Sequence, residues 1–147
     1  MFERIMIATD GSKHSERAAE LGIELARLSG GAITVVYVAD TGRLSHLPED
    51  MALASIRELL IKEGEEATGY IEEMAKRAGV ASSKKVVEGH PGEELIRFAD
   101  ENGVDVIVIG SCGRSGLEKF LLGSVAEKVV RTSTVPVITV PGERVCD

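Results

Sequence analysis

Short apolar runs alternate with longer amphipathic stretches along the chain, and most runs close on a turn signal. "RIMIAT" (4–9) is apolar and ends in "DGS", which predicts a strand followed by a turn. Ala18, Leu21, Leu25 and Leu28 recur at helical spacing and predict a helix over about 15–28, stopped by Gly30 and Gly31. "AITVVYVA" (32–39) is a continuous, largely β-branched run, as in a strand covered on both faces. Residues 40–48 read as a loop. Ile56, Leu59, Leu60, Ala67, Ile71, Met74, Ala75 and Ala78 trace one stripe and predict a long helix over about 49–78. Gly64 and Gly69 each weaken it by about 1 kcal/mol relative to Ala and mark where it could bend or break. "KKVVEG" (84–89) is a weak third strand. "PGEELIRFADENG" (91–103) is a helix with acids in its first turn, which suits the helix dipole. "DVIVIG" (105–110) is the fourth strand, about 124–132 a further helix, and "VPVITV" (135–140) the fifth strand.

Strands alternating with helices, with no internal repeat or linker, predict an α/β fold. Its centre is a five-stranded parallel, doubly wound sheet with helices on both faces. The expected strand order is 3-2-1-4-5, in a single domain spanning residues 1–147. Ligands of such sheets bind beyond the C-terminal strand ends, where the strand order reverses. Here that crevice lies between the first and fourth strands, at Asp10 and Gly110.

Composition narrows the ligand. Aromatics are 3%, Trp is absent and the net charge is -7, which argues against nucleic-acid binding by base stacking or phosphate tracking. A single small anion held by backbone N–H groups remains compatible. No apolar run is long enough to span a bilayer and the N-terminus reads as a strand, so a cytoplasmic protein is expected. Cys112 and Cys146 have no framework spacing, and His14, His46 and His90 form no ligand cluster. Neither a structural disulfide nor a protein-held metal is expected. Cys112 is read as filling a turn; a redox role is the alternative.

The chemistry concentrates in "IGSCGRSGLEKFLLGSVAEKVV" (109–130). Gly110, Gly113, Gly123 and Ser124 have the spacing G-x2-G-x9-G-S, which is neither a P-loop nor a dinucleotide fingerprint. Gly110 and Gly113 can let backbone N–H groups form an anion-binding concavity. Gly123 and Ser124 open a helix whose first N–H groups favour a phosphate. Ser124 and Glu127 also fit a capping box, in which the hydroxyl serves its own helix. Asp10, before Gly-Ser, could form a turn or cap the first helix. Gly116 reads as a turn residue, and Arg114, Lys119 and Lys128 as solvated.

The chain resembles the nucleotide-binding members of the universal stress protein family. The likeness covers nearly its whole length: "IMIATDGS", "ITVVYVAD", "GHPGEELIRFADENGVDVIVIGS" and "GLEKFLLGSVAEKVVRTSTVPVITV". The resemblance implies ATP, with Mg2+ or Mn2+ held through the phosphates. It implies that Asp10 lies by the ribose, that backbone groups at Val38 meet the adenine edge, and that Gly110, Gly113, Gly123 and Ser124 hold the phosphates. Ala8, Thr9 and Val125 are the neighbours it implies. It also implies a homodimer through strand 135–140, an apolar edge that needs covering. Position 112 is often polar or imidazole in similar proteins, and here it is Cys112.

Two functions compete. One is an ATP-loaded dimeric regulator or adaptor of the stress response, with an unidentified protein partner. The other is a slow ATPase or nucleotidyl-transfer enzyme using the same site. No Walker lysine, paired metal-binding carboxylates or positioned base is apparent, so no catalytic residue is assigned. A two-component receiver lacks its adjacent acids and its aspartate after the third strand. A flavin carrier lacks an aromatic placed to sandwich the ring.

Overall fold

The computed structural model describes residues 2–44, 48, 51–111 and 123–142. Five strands form one sheet: β1 (Arg4–Thr9), β2 (Ala32–Ala39), β3 (Ser82–Glu88), β4 (Val106–Gly110) and β5 (Val137–Val140). All neighbours are parallel and the order is β3-β2-β1-β4-β5, as the alternation predicts. The helices are α1 (Lys13–Ser29), α2 (Met51–Arg77), α3 (Pro91–Glu101) and α4 (Ser124–Thr132). Side-chain alternation sorts them onto two faces. Ile5, Ile7, Ile33, Val35, Val106 and Val108 meet α1 and α2. Met6, Ala8, Val36, Ile107 and Ile109 meet α3 and α4. Burial on both faces is why β1 and β4 carry almost no polar residues.

Local chemistry sets the helix ends. Ser12 caps α1, its hydroxyl accepting from the Ser15 N–H at 3.4 Å. Gly30 ends the helix at φ 74, a left-handed conformation that favours glycine, and its N–H bonds the Ala26 carbonyl. Pro91 occupies the first turn of α3, where a missing N–H costs nothing.

The structure corrects several sequence expectations. The buried stripe of α1 is Ala18, Ala19, Gly22, Ile23 and Ala26, whereas Leu21 and Leu28 are exposed, Leu28 by 71%. The cause is close approach: a Cβ on Gly22 would stand 2.6 Å from Ile7 Cγ1, so only small residues fit between helix and sheet. In α2, Ile56 and Leu59 are likewise exposed, and the helix runs unbroken through Gly64 and Gly69. Gly64 is there for packing, since its Cβ would stand 2.5 Å from Tyr37 Cδ1. A 3-10 turn, Gly42–Leu44, interrupts the predicted loop, and β3 starts at Ser82 rather than 84. β5 starts at Val137 rather than 135. Val135 N–H is taken by Ser133 Oγ at 3.1 Å, Pro136 has no N–H, and the ladder begins with Ile107 N–H donating to the Pro136 carbonyl at 2.9 Å.

Candidate functional site

The C-terminal ends of β1, β2 and β4 and the start of α4 enclose a cavity of about 310 Å3. That size lies at the low end of the roughly 300–1,000 Å3 usual for small-molecule sites. Of the positions anticipated from the sequence, Ala8, Thr9, Asp10, Val38, Gly110, Gly123, Ser124 and Val125 all line it. Gly113 lies outside the described residues, as do Cys112, Arg114, Gly116, Lys119, His46 and Cys146.

Each wall follows from local structure. At the end of β1, the Thr9 hydroxyl pairs with Ser15 Oγ at 3.0 Å and accepts from the Gly11 N–H at 3.1 Å. This fixes the turn that presents Asp10. Asp10 does not cap α1; its Oδ1 accepts from the Ser12 N–H at 2.9 Å, a local side-chain turn, and Ser12 is the cap. At the end of β4, the Ser111 N–H donates to the Val140 carbonyl at 2.9 Å. The Ser111 carbonyl in turn accepts from Gly123 N–H at 2.7 Å, which ties the two described ends of the glycine stretch together.

The start of α4 supplies the electropositive wall. Gly123 is its N-cap, at φ -58 and ψ 154, a conformation open to any residue. The backbone conformation there therefore does not demand a glycine. The first intrahelical bond runs from the Glu127 N–H to the Gly123 carbonyl at 2.9 Å. The N–H groups of Ser124, Val125 and Ala126 have no acceptor within the helix and sit at the cavity wall. The capping box expected of Ser124 and Glu127 is not formed. Ser124 is the first helical residue rather than the cap, no side chain among the described residues caps the helix, and Glu127 pairs with Arg131 at 3.1 Å. Lys128 lies elsewhere, its stem against Gly92 of α3.

Sequence reasoning missed several walls. Tyr37, Asp40, Leu60, Pro91 and Leu95 also line the cavity. Tyr37 is 3% exposed, and its hydroxyl donates to Glu63 Oε2 at 3.1 Å. Asp40 had a readable signal, since it follows β2 as Asp10 follows β1. Leu60 read as core. The rest depend on which helices meet over the strand ends.

The cavity is polarised. Acids stand at the ends of β1 and β2, and helix N–H groups that have no intrahelical acceptor stand beside the end of β4. A phosphate is favoured at the α4 end, and donor-bearing groups at the Asp10 and Asp40 end. A second hollow of about 280 Å3 beyond Thr9 carries Glu16, Glu63 and Glu66, and their charge disfavours an anion there. Among the described residues, no three His, Cys, Asp or Glu side chains converge as a metal site. No described helix is long and apolar enough to cross a membrane.

Known proteins share this architecture. The model of the universal stress protein family matches residues 1–141. A universal stress protein of Methanocaldococcus jannaschii is 38% identical over 140 residues, which span 95% of this chain and 82% of that protein. The solved structure of a second protein of that family from the same archaeon superposes with a TM-score of 0.84, at 28% identity and 96% coverage of both chains. The universal stress protein from Archaeoglobus fulgidus, solved in complex with dAMP, gives a TM-score of 0.70 at 26% identity, covering 95% of this chain and 98% of that one.

Proposed function

The chain belongs to the universal stress protein family, and on that premise we propose that it binds ATP in the crevice and acts as a dimeric, cytoplasmic regulator or adaptor of the stress response. One observation carries the reading. Eight of the nine positions at which the family resemblance puts nucleotide contacts line a single cavity. The dAMP complex of the Archaeoglobus fulgidus relative supports an adenine nucleotide as the ligand class.

In this reading the phosphates lie on the open N–H groups of α4 and against Gly110, Gly113, Gly123 and Ser124. The ribose lies by Asp10 and the base by Val38. A divalent ion, Mg2+ or Mn2+, rides on phosphate oxygens and water rather than on a protein cage. Asp10 already accepts from Ser12, and its role is to receive a sugar hydroxyl.

Edge chemistry supports pairing through β5. The opposite edge, β3, carries Lys84 and Lys85 on exposed positions, a common guard against strand addition. β5, "VITV", carries no charge, and a second copy can pair with it across a twofold axis. Ile138→Lys is expected to shift the sedimenting species from dimer to monomer; an unchanged dimer would place the interface elsewhere.

The test is thermal unfolding of protein stripped of nucleotide, with and without MgATP. Ligand at 100 times its dissociation constant stabilises by about 2.7 kcal/mol, which is several degrees for a domain of this size. A shift with ATP and little with GTP is expected. No shift with any nucleotide would overturn the reading.

A further inference from the structure

We propose that Asp40 is the side chain that selects the base, its carboxylate accepting a hydrogen bond from the exocyclic amine of adenine. The inference rests on the ATP reading and adds a determinant of specificity to it. It starts from the order of groups along the edge of the sheet. Gly110 ends β4, Asp10 follows β1 and Asp40 follows β2, and these three strands are neighbours in that order. Adjacent strands lie about 4.8 Å apart, so Asp40 stands about 10 Å from Gly110 across the sheet. The start of α4 is bonded to the β4 end through Gly123 and Ser111. A nucleotide with its phosphates at α4 therefore meets Asp10 first, at the sugar. It meets Asp40 one strand further on, where only the base can reach.

The surroundings of Asp40 suit a base. Val38, Leu60, Leu95 and Pro91 line the same cavity and give it apolar walls. The segment that carries Asp40 is held on both sides. The Gly89 N–H and the Thr41 N–H both donate to the Ala39 carbonyl, at 3.1 and 2.7 Å, and the Leu44 N–H donates to the Thr41 carbonyl at 3.0 Å. His90, at the N-cap of α3, presses on Gly42 so closely that a Cβ there would stand 2.5 Å from the imidazole. Asp40 Oδ1 is closed off from solvent, which seats the carboxylate in the wall.

A carboxylate only accepts, and its two oxygens offer about four lone-pair sites, enough for protein and ligand together. An adenine amine donates to it. A 6-keto purine would instead set its oxygen against the carboxylate at that position, with its nearest donor, the N1–H, one ring atom away from the place the amine takes. Hydrogen bonds to charged groups are worth about ten- to hundred-fold in affinity, so that range is the expected preference.

The experiment titrates ATP, ITP and dATP into the full, nucleotide-stripped chain, wild type and Asp40→Asn. ITP differs from ATP at the six position of the base, where it carries a keto oxygen and an N1–H. The wild type is expected to prefer ATP over ITP at least tenfold. Asp40→Asn carries a donor as well as an acceptor and is expected to narrow that preference to within about threefold. Its ratio of ATP to dATP affinity is expected to stay unchanged. An undiminished ATP preference in Asp40→Asn overturns the inference, and so does a change in the dATP ratio, which would put Asp40 at the sugar. The wild type alone is also decisive: equal binding of ATP and ITP overturns this inference and leaves ATP binding standing. Binding of no nucleotide overturns both.

Discussion

Two glycines in one helix should respond to the same substitution with opposite signs. Gly64→Ala and Gly69→Ala both remove a residue that costs α2 about 1 kcal/mol of helix propensity. At Gly69 the nearest atom to a new methyl is Lys84 Nζ at 3.6 Å, an ordinary contact with a flexible end. That substitution is expected to stabilise by close to the full 1 kcal/mol. At Gly64 the methyl would stand 2.5 Å from Tyr37 Cδ1 and 3.0 Å from two further ring atoms. The ring has little room to yield. Tyr37 is buried, and its hydroxyl is held by Glu63, the residue next to Gly64. Overpacking of this kind costs about 1–3 kcal/mol, so the propensity gain is cancelled or outweighed. The gap between the two variants is therefore about 1–3 kcal/mol, several degrees in melting temperature for a domain of this size. Thermal unfolding of both variants beside the wild type measures it. Tyr37 also lines the cavity, so ATP affinity should fall in Gly64→Ala and hold in Gly69→Ala. A Gly64→Ala protein that melts as high as Gly69→Ala would refute the packing account of this glycine.

Ser124→Ala is expected to leave stability within about 0.5 kcal/mol of wild type, since no side-chain cap is lost, while weakening ATP several-fold. A loss nearer 1 kcal/mol in chemical unfolding would restore the cap that the structure lacks. Asp105 accepts from the N–H groups of Arg4 and Glu3, both at 2.9 Å, and these bonds, Arg4 first, hold its carboxyl below the ordinary 3.8. A folded value below the unfolded one gives stability that is present above pH 3.8 and lost as pH falls through the folded value. Asp105→Asn should therefore be less stable than wild type at neutral pH and show a flatter acid limb when unfolding is followed by circular dichroism. Parallel acid limbs would remove that carboxylate from the account.

The fold was legible because its signals are local. Runs such as "VDVIVI" are short, β-branched and bounded by turn signals, which marks them as buried strands, and the turns between elements carry Gly, Asp and Pro where the chain must stop. What pattern alone could not decide was which of two overlapping stripes a helix buries. In α1 both Leu21–Leu25–Leu28 and Ala18–Gly22–Ala26 keep helical spacing, and the distance to Ile7 selects the small residues. The site divides in the same way. Gly110, Gly123 and Ser124 were readable because backbone N–H chemistry at a helix start belongs to a short stretch of chain. Tyr37, Leu60 and Leu95 come from β2, α2 and α3, and only their packing over the strand ends brings them to one cavity. Ser124 failed as a cap for a local reason: the helix starts one residue earlier than the capping box requires, and Glu127 turns to Arg131.

The central claim is that the crevice between β1 and β4 binds ATP against the start of α4. Calorimetric titration of ATP into nucleotide-stripped wild type and Gly123→Val tests it most directly. The φ of -58 at Gly123 accommodates valine, so the variant should keep its fold and melting temperature to within a few degrees. The account predicts one saturable site per chain in the wild type and none in Gly123→Val. Equal affinity in the two proteins would contradict it and move the nucleotide away from α4.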